Sequence, residues 1–128
     1  MNRTPDNWRE LLGEKLVSPE EAVSLIGHGQ YVWAGGWTSV PPQLCGALAA
    51  RGGELKDVTI VSFLTPYKWD TPENLANFNI ITAYASPLDR AAVREGRMEL
   101  AQACFDFLPV RSRLDLAGWD EIDIFAHA

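Results

Sequence analysis

What this 128-residue chain has little of narrows its function first. Basic residues are few: 11 Lys and Arg stand against 17 Asp and Glu, a formal net charge of −6. DNA or RNA would be repelled, and no basic run or aromatic-interleaved Lys/Arg stripe compensates, so nucleic acid is not an expected partner. No stretch reaches the ~20 consecutive apolar residues that a membrane-spanning helix needs. The opening MNRTPDNWRELLGEKL has no apolar core of the secretory kind, which leaves no expected membrane partner and the cytoplasm as the expected location. The two cysteines, Cys45 and Cys104, have neither CxxC nor metal-finger spacing and read as small buried hydrophobes. No set of His, Cys, Asp and Glu stands at metal-ligand spacing, so no metal is expected. Gly27, Gly29, Gly35 and Gly36 do not make G-x-G-x-x-G, and no Gly-Lys-Ser/Thr occurs. That leaves out the dinucleotide fingerprint and the phosphate-binding P-loop.

What is present is an ordinary globular composition, with 47% hydrophobic and 22% charged residues. The length fits a single domain over residues 1–128, and a chain of this size buries about two-thirds of its unfolded surface. Five tryptophans are generous for it, and some are expected at an interface or a ligand.

The pattern predicts strands alternating with helices. Ser18 caps a helix over 18–26, with Pro19 in its first turn, Glu21 three residues after the cap, and Ala22, Val23, Leu25 and Ile26 inward. The glycines flanking His28 end it. A short strand over 31–34 halts at Gly35-Gly36. Thr38 or Ser39 caps a second helix, which has Pro41 and Pro42 in its first turn and stops at Gly52-Gly53. Residues 58–64 form a near-continuous apolar strand of the kind covered on both faces in a parallel sheet. A long polar loop over 65–77, with room for one helical turn, precedes a third strand over 78–84. A helix over 87–95 follows, with Leu88, Ala91 and Ala92 inward, closed by Gly96. Residues 98–104 are ambiguous between strand and helix, 108–114 read as a short helix, and 122–126 as a last strand. The expected fold class is α/β: an open, mostly parallel sheet flanked by helices.

Gly35-Gly36, directly after a strand and before a helix, is the most informative local feature. Two glycines let the backbone approach a ligand, and a following helix start offers N–H groups to a carboxylate, a phosphate or a thioester carbonyl. A plain tight turn fits the same residues. His28 reads as an exposed turn residue, and His127 ends the last strand without an assignable Ser or Cys partner. Cys45 reads as helix packing more than as a nucleophile. Asp120, Glu121 and Asp123 form a solvated turn before the last strand. These residues alone describe a domain with a candidate anion-binding turn, and no reaction.

The order of features is more specific than each part. Lys15-Leu16-Val17-Ser18-Pro19-Glu20-Glu21-Ala22-Val23 leads to Gly35-Gly36, then to Pro41 and Pro42, Leu44, Ala47-Leu48, and Leu55-Lys56-Asp57-Val58-Thr59-Ile60. Arg94-Glu95-Gly96-Arg97, Leu108-Pro109 and Asp120 to Ile124 follow. This string, over residues 15–125, resembles the N-terminal domain of family I coenzyme A transferases, in the acetyl-CoA hydrolase/transferase branch that includes 4-hydroxybutyrate CoA-transferases. The resemblance implies a glutamate carboxylate that attacks an acyl-CoA thioester, forming an acyl-glutamyl anhydride and then a glutamyl-CoA thioester, before a short acceptor carboxylate completes the exchange. It implies no cofactor beyond the coenzyme A thioester that serves as substrate.

That glutamate belongs to the family's second half, which lies outside this chain, and the glycine-rich loop that in the family follows the strand ending near Ala126 is absent too. No residue here is assigned a catalytic role, Glu20, Glu21 and Glu95 included. By resemblance Gly35 and Gly36 stand on the substrate side, while Trp37, Thr38, Ser39 and Thr65, with the run to Trp69, are expected as pocket walls. The expected partners are an acyl-CoA, a short carboxylate, and a second chain or domain bearing the glutamate. The other readings are a stand-alone, non-catalytic acyl-CoA or small-anion binding module of the same fold, and an excised domain. A sugar-phosphate isomerase ranks below these, because no acid–base set suits it.

Overall fold

The structure is a computed structural model, and it describes residues 6–101 and the backbone of Ile124 and Phe125. Its elements are α1 (Trp8–Leu12), α2 (Pro19–Val23), β1 (Tyr31–Gly36), α3 (Pro42–Ala50), β2 (Thr59–Phe63), α4 (Pro72–Asn77), β3 (Asn79–Thr82), α5 (Arg90–Arg94), β4 (Glu99–Leu100) and β5 (Ile124–Phe125). The strands form one sheet in the order β4-β3-β2-β1-β5, and every pairing is parallel. This is the α/β architecture expected.

From β1 to β4 each connection steps one place in the same direction. Right-handed crossovers therefore put α3, α4 and α5 on one face of the sheet. The side chains agree. Val32, Ala34, Ile60 and Ile80 pack there with Val23, Cys45, Leu48 and Ala92. The opposite face carries a smaller cluster of Val61, Ile81 and Ala101, with Tyr31 and Trp33 against it. The apolar run of β2 explains its central place: Val58, Ile60 and Val61 are fully buried, and each such side chain contributes roughly 1.5–3 kcal/mol. Strand order reverses at β1, which has β2 on one side and β5 on the other. The crevice at the carboxyl ends of strands beside such a reversal is where open α/β sheets bind ligands.

Several local expectations change. Ser18 does cap α2, its hydroxyl accepting from the Glu21 N–H at 3.1 Å, but the α-helix ends at Val23. The chain continues in i→i+3 hydrogen bonds, Leu25 to Ala22 and Ile26 to Val23. Three residues per turn keep Val23 and Ile26 inward and swing Leu25 out, 81% exposed instead of buried. Arg51 at the end of α3 donates to the carbonyls of Val23 and Ile26, so a cation closes the carboxyl end of α2.

β1 does not halt at Gly35-Gly36 but contains both. Neither Thr38 nor Ser39 caps α3, which starts at Pro42 behind Pro41. The expected loop over 65–77 holds α4, whose Thr71 hydroxyl accepts from the Asn74 N–H at 3.2 Å. α5 begins only at Arg90; Leu88 and Ala91 are exposed, and Asp89 and Ala92 are the buried pair. β4 covers the start of the ambiguous stretch as strand, and the backbone of Ile124 and Phe125 bears out a strand beside β1. Cys104, the helix over 108–114, Asp120, Glu121, Asp123 and His127 lie outside the described residues.

Candidate functional site

At the carboxyl end of β1 the chain cannot continue as regular strand. Gly35 has φ +72°, and the register against β2 slips between Trp33 and Gly36. This bulge brings Gly36 against β2 so closely that a Cβ there would stand 3.0 Å from the carbonyl oxygen of Phe63 and 3.1 Å from its ring. Only glycine fits. Trp37, Thr38 and Ser39 then form a single 3-10 turn. Ser39 secures it: its hydroxyl donates to the Gly36 carbonyl at 2.7 Å and accepts from the Gly36 N–H at 3.3 Å. The Gly36 N–H is thus engaged within the turn.

Trp37 has φ +51° and is 56% exposed. Its ring meets Phe63 edge-on, with centroids 5.2 Å apart at 83°, and Phe63 meets Tyr84 at 5.9 Å. Leu64, directly after β2, has φ +44°, and its N–H donates to the Tyr84 carbonyl at 3.0 Å. The ends of β1, β2 and β3 therefore carry a continuous aromatic ledge, two of whose three rings are largely exposed. A bulky side chain at positive φ is a genuine outlier, costing roughly 1–2 kcal/mol. Two of them flank this crevice.

The expected site residues divide. Gly35, Gly36, Trp37, Thr38 and Ser39 come together at the strand reversal. Thr65 does not join them as a wall: it is 1% exposed, and its hydroxyl accepts from the Tyr67 N–H at 3.0 Å in a local turn. Trp69, expected beside it, is fully buried against Tyr67 and Phe78. Sequence reading missed Phe63, Leu64 and Tyr84. Their one signal was position, since each stands at the end of a predicted strand.

Residues 35–39, 63–65 and 84 include no carboxylate, imidazole or thiol. The edge offers backbone groups, hydroxyls and aromatic faces, which is equipment for binding and orienting. Titratable groups with altered ionisation lie elsewhere. Burial pushes the Cys45 thiol up to about 11, the state of an inert packing cysteine. Burial also raises the Asp89 carboxyl, against the lowering effect of its hydrogen bonds from Ser86. His28 is no idle turn residue, because its Nδ1 accepts from the Lys56 N–H at 3.1 Å and pins two loops together. Among the described residues no group of three or more His, Cys, Asp or Glu is placed to hold a metal. Nor is any helix there long and apolar enough to cross a membrane.

No protein-family model matches the chain, and no curated protein does. Solved structures do. RipA from Yersinia pestis is similar over 93% of this chain at 27% identity, with a TM-score of 0.68. A point mutant of RipA is similar over 93% at 28% identity, with a TM-score of 0.69. The chain spans only 30% of the length of the first and 29% of the second.

Proposed function

We propose that this chain is the N-terminal domain or subunit of an acyl-CoA:carboxylate CoA-transferase or acyl-CoA hydrolase. In this reading it positions the acyl-CoA, while a glutamate outside the chain performs the chemistry. One observation carries the proposal: the glycine bulge stands at the carboxyl end of β1, where the strand order reverses, and the aromatic ledge runs from there along the carboxyl ends of β2 and β3. That edge offers hydroxyls, backbone groups and rings, but no carboxylate, imidazole or thiol. The ordered resemblance over residues 15–125 supplies the chemistry, and the similarity to less than a third of a longer chain fits a part of a larger enzyme. In the reaction the glutamate takes the acyl group as an anhydride and releases CoA thiolate, which attacks the glutamyl carbonyl, forming the glutamyl-CoA thioester and freeing the donor acyl group as its carboxylate. The acceptor carboxylate then takes over the CoA through a second anhydride, so no external oxidant or reductant is needed. The ledge would hold and orient the thioester, a contribution made through proximity.

The test is purification of the untagged protein from its native source, with intact masses of every polypeptide and an assay of labelled acetate entering acetyl-CoA. A glutamate-bearing chain or extension accompanied by exchange supports the reading. The 128-residue chain alone, without exchange, overturns it and leaves an acyl-CoA or small-anion binding module; exchange by that chain alone would refute the assignment of the glutamate.

A further inference from the structure

The composition of the aromatic ledge bears on which part of a CoA thioester lies against it. Residues 35–39, 63–65 and 84 include no Lys, Arg, Asp or Glu. The nucleotide end of CoA carries phosphates, which are met by cations or by clustered N–H donors. Two backbone donors of this edge are engaged, the Gly36 N–H by the Ser39 hydroxyl and the Leu64 N–H by the Tyr84 carbonyl. The end of the molecule that suits the ledge is the uncharged one, the acyl group on its thioester.

The rings suit a flat guest. Trp37 is 56% exposed and Tyr84 46%, so a ligand reaches both. Phe63 stands between them, edge-on to Trp37 and tilted by 44° to Tyr84. Aromatic rings meet a flat unsaturated partner with a preference beyond the area buried. The two Ser39 hydrogen bonds fix the turn that carries Trp37, so the indole needs little ordering when a ligand arrives. A second carboxylate on the acyl group would give up its hydration with no cation among these residues to replace it.

We propose that Trp37 and Tyr84 set the acyl specificity of this edge, favouring a flat, uncharged, unsaturated or aromatic acyl group and disfavouring one that bears a second carboxylate. The inference rests on the transferase or hydrolase reading and names the substrate class of the same site.

The test is calorimetric titration of the full chain with acetyl-, benzoyl- and succinyl-CoA and with free CoA at pH 7. Benzoyl-CoA is expected to bind about tenfold tighter than acetyl-CoA, and succinyl-CoA about tenfold weaker than acetyl-CoA. Trp37→Asn and, separately, Tyr84→Ala are expected to bring benzoyl- and acetyl-CoA within about threefold of each other, with free CoA binding as before. Where a variant does not fold, the ligand series on the unaltered chain decides the matter. Equal affinity for benzoyl- and acetyl-CoA, tightest binding of succinyl-CoA, or a benzoyl preference that survives in both folded variants would each overturn the specificity and leave the transferase reading standing. Failure of every thioester and of free CoA to bind would overturn that reading itself, and this inference with it.

Discussion

The two edges of the sheet solve the same problem with different residues. At the amino edge the left-handed backbone falls on Gly29, Asp57 and Gly96, types that tolerate it. Hydrogen bonds across the loops hold that edge: His28 and Gly29 to Lys56, and Gln30 to Thr59. At the carboxyl edge Gly35 is joined by Trp37 and Leu64, which tolerate the left-handed region poorly. One edge is composed for stability. The other keeps strained side chains beside exposed rings, and backbone strain of this kind collects at binding sites.

Four substitutions probe that contrast. Gly36→Val should have the largest effect, because its added carbons meet the β2 backbone itself. A loss of about 3 kcal/mol is expected from overpacking, read from the midpoint of urea unfolding. Arg51→Met should cost about 1 kcal/mol by releasing the Val23 and Ile26 carbonyls, without altering acetyl-CoA affinity measured by calorimetry. Comparable loss of affinity there would erase the distinction between the edges.

Trp37→Asn should do the reverse. Relief of roughly 1–2 kcal/mol of strain offsets the lost ring contact, worth roughly 0.5–1.5 kcal/mol, so stability stays within about 1 kcal/mol while acetyl-CoA binding falls. An unaltered affinity would show that the strained residue does not serve the ligand.

The smallest effect concerns Asp89, on the carboxyl side. A raised carboxyl pKa means the folded state holds its proton more tightly than the unfolded state. That stabilising contribution is complete below the ordinary value of 3.8 and is lost as pH rises through the higher folded value. Asp89→Asn should flatten this decline in a series of unfolding curves from pH 3 upward.

Legibility from sequence followed the range of the forces involved. The apolar run of β2, the Ser18 cap and the glycine pair are local signals, and all three reappear in the structure. The failures are tertiary. Leu25 left the core because α2 tightened its last turn, and Ala91 lost its place to Asp89, which accepts the Ser86 N–H at 3.1 Å. Trp69 and Thr65 looked like pocket walls because they follow a strand, yet the chain there turns under α3 and not along the crevice. Two of the three ledge rings were hidden for a related reason. Phe63 and Tyr84 belong to different strands, and only the parallel register brings their rings together.

The sheet order also has a kinetic side. β1 finds β2 early, since the two are joined by one helix and its flanking loops. Its other neighbour, β5, lies far along the sequence, with Ile124 opposite Val32. Contacts of such long sequence separation form slowly, and this one exists only once the chain has been made as far as β5. Until then the outer edge of β1 has open hydrogen-bonding groups next to an incomplete crevice, the kind of edge on which nascent chains aggregate. In this topology the binding edge is completed only when β5 docks on β1, so deletion of β5 should trouble the crevice before it troubles the helix-covered core.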